Sequence, residues 1–368
     1  MLEDLDKIDW NSLTHAYGEA GDVPNLLRAR ASSDPETAAS AESELFGNIW
    51  HQGTVYSATA YAVPFIIELL TSERTVDRVG IVALLAAIAD GHSYLEVHGK
   101  LRHYDNKRDT AEFQAKLQQE LRWKRNAHEA VAKHADLYWR LLDEEPSLSV
   151  CVPYLLAAIP ATRRDVCARL PGRIGTEAYP LARASALLAY SLACAGTDEG
   201  VRLFASLLDD ADRWISFAAA HGLVVSGCVT DTLRKALDLL MNPVRDYEAY
   251  VGPEDWLWGI GDTQSIALEA LGDLDRSQVP VLLRWLPELL SQLDKYGASS
   301  VAVECFSYMF RAQGLPCVKE DLTTLQLCVL RALARDTNVL HTDELIVSVA
   351  KSLVGDSDMK KLADYLKP

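Results

Sequence analysis

Histidine, tyrosine and basic side chains are concentrated in one stretch of this sequence. Five of the nine histidines lie in or near residues 92–142, and residues 100–140 hold ten Lys or Arg against six Asp or Glu. The resulting local charge of +4 favours an acidic or phosphate-bearing ligand. The alternative is a solvated loop that neutralises the acidic body of its own chain. The candidate ligand-binding residues of this segment are Lys100, Arg102, His103, Tyr104, Lys107 and Arg108.

Two other segments have compositions suited to binding. The polar turn at 51–56 has a sufficient structural explanation, because Gly53 would end one helix and Thr54 or Ser57 would begin the next. Residues 247–263 hold two Trp and two Tyr, which are the residue types that dominate binding hot spots, although they would equally fill a gap between packed helices. The predicted partner-binding residues come from this segment and from an acidic turn near residue 210. They are Asp209, Asp210, Asp212, Glu254, Asp255, Trp256 and Trp258.

Motifs of enzymes and metal sites are missing from the sequence. It contains no Gly-rich phosphate loop, no G-x-S-x-G and no H-E-x-x-H. His98 and His103 lie in an expected loop, and no third ligand follows them at a spacing that zinc sites use. The seven cysteines are odd in number and show no C-x-x-C spacing, which predicts small core residues in a reducing compartment rather than disulfides. We therefore predict no catalytic residues, no metal and no cofactor.

Charge and hydropathy limit the classes of partner. The net charge of −16 argues against nucleic acid, because phosphate binding requires a basic surface. It indicates a basic protein partner instead, and the alternative is acidity that serves solubility alone. No apolar run approaches the roughly 18 to 20 residues that cross a bilayer, and the acidic start MLEDLDKIDW does not resemble a secretory signal. We expect a cytoplasmic protein that makes no membrane contact.

The elements that must position these residues are helices of two kinds. The first kind opens with Val-Pro, at Val23, Val63, Val152 and Val279, and continues with an apolar stripe of helical period. Proline suits a first turn because its missing N–H would be unbonded there. Successive openings are 40, 89 and 127 residues apart, close to multiples of a unit of roughly 40 to 45 residues.

Helices of the second kind are rich in alanine and end on glycine, at 78–91, 182–196, 213–227 and 301–314. Small residues allow neighbouring helices to approach closely, and the terminal glycine suits a left-handed cap. No segment shows the period-two alternation of apolar and polar residues that is typical of a strand, so the sequence predicts an all-α fold.

These features resemble the HEAT-repeat family, in which a helix with an early proline is followed by a second helix introduced by Asp and Arg. Asp77-Arg78 and Asp212-Arg213 match that introduction, and Arg183 also fits it. The resemblance implies that these Asp and Arg side chains bond between neighbouring turns and stack the units. The stretches WNSLTHAYGEAGDVP and HQGTVYSATAYAVPF also look like a group of bacterial HEAT proteins.

The resemblance implies a right-handed α-solenoid of HEAT-like helical hairpins, formed by residues 1–368 as a single domain. An insertion at about 92–142 interrupts it, which we expect to be a loop followed by a long helix over Ala111–Leu142, continuous or broken. Stacked helices make extended binding surfaces. The leading hypothesis is therefore a module that binds a basic protein through its acidic surface, such as an immunity protein that neutralises a bacterial toxin. The alternatives are an enzyme or small-ligand protein that uses the insertion, and a structural scaffold.

Overall fold

Helices form nearly all of the secondary structure, which confirms the all-α prediction. The computed structural model describes residues 2–99, 101, 104, 106–245, 263–272, 274, 277–293, 298–299, 301–303, 306, 310, 316, 318–335, 344–355 and 358–367. These residues fall into two compact units, one up to Ala193 and one from Cys194 onward. That residues 1–368 form a single solenoid stays a prediction.

The first unit contains two short β-hairpins among its helices. In chain order its elements are β1 (Thr14–His15), β2 (Gly18–Glu19), α1 (Val23–Arg30), α2 (Pro35–Asn48), β3 (Trp50–His51), β4 (Thr54–Val55), α3 (Thr59–Leu70), α4 (Arg78–Asp90), α5 (Tyr94–His98), α6 (Ala111–Ala132), α7 (Ala135–Leu141), α8 (Pro146–Ala158), α9 (Arg163–Thr176) and α10 (Pro180–Cys194). Short 3₁₀ helices occupy Leu5–Lys7, Trp10–Ser12 and Pro160–Thr162.

The second unit is described as helices only. They are α11 (Asp198–Leu207), α12 (Arg213–Val225), α13 (Thr232–Arg245), α14 (Thr263–Gly272), α15 (Val279–Gln292), α16 (Thr324–Leu333), α17 (Glu344–Val354) and α18 (Met359–Tyr365), with a 3₁₀ turn at Lys319–Asp321. The centre of this unit is α12, whose residues 215–224 are all buried. Helices α11, α13 and α14 pack around it.

The core of the first unit is built around α4. This helix packs against α3, α6 and α8, and its Ile81, Val82, Leu84, Leu85 and Ile88 are all buried. Each such side chain stabilises the fold by about 1.5–3 kcal/mol relative to exposure. Since α4 is apolar on most of its circumference, it can be covered on several sides at once, as a central helix must be.

A buried arginine connects α1 and α2 to the loop before α4. Arg30 is 2% exposed, and its Nε donates to Glu42 Oε2 at 2.8 Å. Its Nη1 and Nη2 donate to the backbone oxygens of Val76 at 2.8 Å and Asp77 at 2.5 Å. Because a guanidinium has five donors in a rigid plane, the Arg30 side chain alone donates hydrogen bonds to both loop carbonyls and to the Glu42 carboxylate.

Two of the four predicted helix openings are confirmed. Val23 begins α1 and Val279 begins α15. The other two are wrong, because Pro64 lies inside α3 and Pro153 lies inside α8. In α8, an earlier proline at Pro146 already takes the first helical position. In α3, Thr59 anchors an earlier start, since its hydroxyl donates to Ile49 O at 2.5 Å and accepts from Tyr56 N at 2.9 Å.

The alanine-rich helices are observed at α4, α10 and α12. Gly196 and Gly227 adopt the predicted left-handed conformation, with φ of +74° and +68°. Gly91 does not, having φ −65°, because the chain continues from it into a pairing with β4. The segment at 301–314 lies largely outside the described residues.

The insertion contains the expected long helix with one break. α6 and α7 are separated at Lys133-His134. The expected loop before them includes a short helix, α5, which the sequence analysis missed; Ser93 and Glu96 form a capping box at its start. Such a box satisfies two backbone donors and stabilises even a single turn.

The prediction of uniformly reduced cysteines is wrong for two of them. Cys167 on α9 and Cys194 at the end of α10 are disulfide-bonded. Cys151 and Cys228 are free and buried, as predicted for core residues, and burial raises the pKa of the Cys151 thiol to about 12. Spacing along the chain cannot show which cysteines the fold brings within bonding distance.

Candidate functional site

The two hairpins and the start of the insertion meet in the first unit. β1 pairs with β2, and β3 pairs with β4. The backbone of Ala58 donates to Thr14 O at 3.1 Å, which joins the first hairpin to the segment after the second. His92 N donates to Gly53 O at 2.8 Å, and Val55 N donates to His92 O at 2.9 Å. These bonds form one continuous surface, which we call the hairpin surface, from residues 14–19, 50–61 and 92–98.

Tyr17 lies at the tip of the first hairpin and is 70% exposed. Its ring meets that of His51 edge-on at 5.3 Å between centroids, and its hydroxyl lies 3.5 Å from His51 Nδ1. Its backbone N–H donates to His15 Nδ1 at 3.0 Å. The tip is therefore held by contacts on both sides although its side chain faces solvent.

His15 is the support on which Tyr17 depends. Because its Nδ1 accepts from the Tyr17 backbone, its proton is on Nε2, which donates to Asp22 Oδ1 at 2.9 Å. The second oxygen of Asp22 accepts from Asn48 Nδ2 at 2.8 Å. This chain of hydrogen bonds fixes the first hairpin to the beginning of α1 and the end of α2.

A second group of side chains lies where β4, α5 and α6 pack together. We call Tyr56, Tyr94, Tyr104 and Glu120 the phenol–carboxylate cluster. The Tyr56 hydroxyl is 2.8 Å from Thr54 Oγ1, and Tyr94 and Tyr104 share a side-chain hydrogen bond. Burial raises the pKa of Tyr56, and the neighbouring Tyr94 and Glu120 raise it further. Burial also raises the pKa of Tyr104, so the Tyr56 and Tyr104 phenols keep their protons at neutral pH and serve as neutral donors and acceptors.

Glu120 is the buried acid of this cluster, with 4% of its surface exposed. Its Oε2 accepts from Leu95 N at 2.7 Å, and Lys116 Nζ lies 4.0 Å from its Oε1. Burial raises the pKa of Glu120 despite the Leu95 N–H and the Lys116 charge, which lower it. The carboxylate therefore carries a desolvation cost that its partners do not fully offset.

Beside this cluster, charged residues of α5 and α6 pair with one another. Lys124 Nζ contacts Glu96 Oε2 at 2.7 Å and lies 3.4 Å from His92 Nδ1. His128 Nε2 donates to Gly91 O at 2.8 Å, and burial lowers the pKa of this imidazole. These side chains are bonded within the insertion. Within the described ranges, no group of three or more His, Cys, Asp or Glu is arranged to hold a metal ion.

Of the six insertion residues predicted to bind a ligand, the structure describes Tyr104, Lys107 and Arg108. Tyr104 joins the phenol–carboxylate cluster, and Lys107 is exposed. Arg108 folds back onto its own loop, where its Nε donates to Gly99 O at 2.7 Å and its Nη2 to Leu101 O at 3.4 Å. Loop carbonyls at this position attract the guanidinium, so Arg108 stabilises the loop. Outside the described residues lie Lys100, Arg102 and His103.

The predicted acidic contacts near residue 210 have local partners. Asp212 Oδ1 caps α12 by accepting from Trp214 N at 2.8 Å, and Asp210 Oδ1 accepts from Asp212 N at 3.0 Å. Asp209 pairs with Lys235 but is 83% exposed, so it still presents a carboxylate to solvent. Outside the described residues lie Glu254, Asp255, Trp256 and Trp258.

Sequence reasoning missed the residues that dominate the hairpin surface. Tyr17, Tyr61 and Tyr94 are exposed, and Glu120 of the insertion is buried. One signal was available, because His and Tyr recur beside glycine ahead of two Val-Pro pairs, in THAYGEAGDVP and HQGTVYSATAYAVP. Nothing in the spacing indicated that the second of these stretches pairs with His92.

In the part of the chain that the structure describes, no helix is both long and apolar enough to cross a bilayer. Comparisons with protein families, with characterised proteins and with solved structures found no match to this chain.

Proposed function

We propose that this protein is a HEAT-like helical repeat protein that binds a basic protein partner through the hairpin surface. The observation that carries the proposal is a set of exposed tyrosines on rigidly held backbone, in a strongly acidic part of the chain. Tyr17, Tyr61 and Tyr94 are 70%, 49% and 37% exposed. Tyrosine loses little conformational entropy on binding and contributes both an apolar ring and a hydroxyl, so it is frequent at binding hot spots.

The rigidity of the surface supports this reading. Tyr17 is held by its backbone bond to His15, and Tyr61 lies in the first turn of α3. Tyr94 begins α5, whose start is fixed by the Ser93 capping box. A surface that is ordered before binding loses less entropy on association than a flexible loop does.

The charge of this region indicates the class of partner. Residues 2–99 hold fifteen Asp or Glu and five Lys or Arg, a net charge of −10 out of −16 for the whole chain. Opposite charge on a partner accelerates encounter and makes the complex sensitive to salt. A basic bacterial toxin is such a partner, and in that case this chain would be its immunity protein. Exposed Asp209 in the second unit would add to the same attraction.

The HEAT-like assignment is supported by a repeated arginine contact. Arg78 Nε donates to Leu70 O at 2.9 Å, and Arg183 Nε donates to Ile174 O at 2.8 Å. In both cases an arginine near the start of one helix satisfies a carbonyl at the end of the helix before it. Such a contact fixes the turn between two consecutive helices, as a helical hairpin requires.

The test is affinity capture from the native cell at low salt with three forms of the protein. The hairpin variant carries Tyr17→Ala and Tyr61→Ala, and the matched control carries Tyr179→Ala, which removes a 42%-exposed tyrosine from the α9–α10 connection. We expect wild type and control to retain the same basic protein, which added salt releases, and the hairpin variant to lose it. Equal retention by all three forms, or no basic protein retained by the wild type, would contradict the proposal.

A further inference from the structure

His15, beneath the tip of the first hairpin, has both of its ring nitrogens in use. Nδ1 accepts from the Tyr17 backbone N–H at 3.0 Å, and Nε2 donates to Asp22 Oδ1 at 2.9 Å. Only the neutral imidazole makes both bonds, since one of its ring nitrogens carries a proton and the other carries a lone pair. The residue is 8% exposed, so the ring is enclosed in this arrangement. The support of Tyr17 therefore depends on the protonation state of one side chain.

A second proton on His15 would remove this support. It would go to Nδ1, where it takes the lone pair that accepts the Tyr17 N–H and sets two N–H groups against each other. Asp22 would meanwhile hold the ring in place, because the attraction between a carboxylate and an imidazolium favours the charged ring. The part that must move on protonation is therefore the turn at Tyr17 and not the imidazole.

The titratable neighbours of His15 come from its own hairpin and from the start of α1. The Tyr17 ring lies 6.3 Å from the imidazole between centroids, and Asp22 directly precedes α1. The end of α2 contributes the Asn48 amide, which does not titrate and donates to the other Asp22 oxygen at 2.8 Å. In the described ranges, the second imidazole of this region, His51 of β3, contacts Tyr17 and not His15. Asp22 is thus the one charge bonded to the ring in the part of the chain that the structure describes.

Other backbone bonds confine the change to the tip of the hairpin. Ala16 N donates to Asn48 O at 3.0 Å, and Ala20 N donates to Leu13 O at 3.0 Å. Neither bond involves the imidazole, so both survive its protonation and keep the hairpin attached to the rest of the first unit. The Tyr17 peptide has no such second anchor, and its ring keeps only the edge-on contact with His51. Protonation therefore frees the most exposed tyrosine of the hairpin surface without unfolding the hairpin.

We propose that His15 is a pH-dependent positioning residue, which holds Tyr17 in place for the basic partner when the imidazole is neutral and releases it when the imidazole is protonated. The hairpin surface then binds its partner in neutral solution and binds it more weakly in mildly acidic solution, where imidazoles take up a second proton. A tyrosine that is ordered before association loses less entropy on binding than one that is free. This assignment rests on the proposed function, which it deepens by naming the regulation of the same surface.

The experiment is a nuclear magnetic resonance titration of the full chain, with histidine and tyrosine labelled with ¹⁵N, from about pH 8 to about pH 5. An N–H···N hydrogen bond transmits a scalar coupling between its two nitrogens, so the bond from Tyr17 N to His15 Nδ1 is observed directly. We expect this coupling at neutral pH, and we expect its loss and the shift of the Tyr17 amide signal to share one midpoint with the titration of the His15 ring. A Tyr17 amide that does not change while His15 titrates, or a His15 ring that stays neutral over the whole range, would overturn the proposal.

Two variants separate the titration of His15 from other effects of acid. In His15→Asn, the amide Oδ1 stands at the same place along the side chain as Nδ1 and accepts from the N–H two residues later, as asparagine does in Asx-turns, but it does not titrate. We therefore expect a Tyr17 amide signal that no longer responds to pH. His51→Asn removes the other imidazole that touches Tyr17 and should keep the wild-type transition. A transition that persists in His15→Asn, or that disappears in His51→Asn, contradicts the assignment to His15.

The titration needs no partner, so its outcome is distinguishable from that of the capture experiment. Capture is repeated at about pH 7.5 and about pH 5.5, and we expect the wild type to retain about tenfold less partner at the lower pH and His15→Asn to lose less. If the partner is retained equally at both values, the regulation is wrong while the proposed function stands. If the Tyr17 amide follows His15 and no basic protein is captured at neutral pH, the positioning role of His15 stands and the proposed function is wrong.

Discussion

Low pH should lower the stability of the second unit through protonation of one buried imidazole, that of His221 at the centre of α12. Burial lowers the pKa of His221 to about 4 from an ordinary value of 6.5. The unfolded chain therefore takes up a proton at a pH where the folded protein does not. Stability from this residue is complete above the unfolded pKa, falls as the pH drops below about 6.5, and levels off below about 4.

The size of the effect follows from the pKa difference. A shift of one unit corresponds to about 1.4 kcal/mol, so the full loss is about 3 kcal/mol, of which roughly 2.5 kcal/mol is already lost at about pH 4.5. For a unit with ordinary marginal stability, that loss is a substantial fraction of the total. The packing around α12 explains the size of this loss. Residues 215–224 are all buried, so a charged imidazole at His221 would not be solvated by water.

The perturbation is His221→Gln, which replaces the imidazole with a polar group that does not titrate. Hydrogen exchange of the α12 amides is followed by mass spectrometry in both forms at about pH 7 and about pH 4.5, after correction for the intrinsic pH dependence of exchange. We expect the free energy of opening to fall by about 2.5 kcal/mol more in the wild type than in His221→Gln. Carboxylates titrate in both forms and cancel in this difference. Equal pH dependence in the two forms would refute the reasoning.

Three further predictions concern stability. Gly222→Ala should destabilise the protein by about 1–3 kcal/mol, measured by chemical denaturation, because the added Cβ would lie 2.5 Å from two ring atoms of Phe204; Gly172→Ala, where nothing lies within 4 Å, is the control and should not destabilise. Asp212→Ala should cost about 1 kcal/mol in the same assay, since it removes the cap of α12, whereas Asp212→Asn should cost less; equal losses would contradict the capping role. Glu120→Gln should raise the melting temperature at neutral pH, and the gain should shrink as the pH falls through the raised pKa of Glu120, because the wild-type carboxyl then becomes neutral too; a gain independent of pH would contradict this.

The helices that sequence patterns predicted well are those with local signals at their ends. Asp77 and Asp212 cap α4 and α12 at the predicted positions, and Gly227 adopts the expected left-handed backbone. These features depend on a few consecutive residues, so the sequence contains all of their physical cause. The start of α8 shows where a local signal is not enough. Pro146 and Pro153 both suit a first helical turn, and the Val-Pro motif alone indicated the later, wrong start.

The predicted ligand residues show the limit of reading charge from composition. Arg108, which was predicted to face a ligand, bonds to the backbone of its own loop, and Lys124, which contributes to the same local charge of +4, pairs with Glu96. Composition counts charges without showing which of them are already paired. The pairing depends on where α5 and α6 lie against each other, which is a property of tertiary packing.

By itself, the sequence determined the all-α class, most of the helices of the first unit and an acidic excess, because periodicity, caps and charge are local or additive properties. The tertiary structure alone decided which side chains meet. His51 contacts Tyr17, 34 positions earlier, and Glu120 accepts from Leu95, 25 positions earlier. Such contacts arise when separate helices bury their apolar sides together, so the residues of the candidate site are neighbours only after that packing has formed.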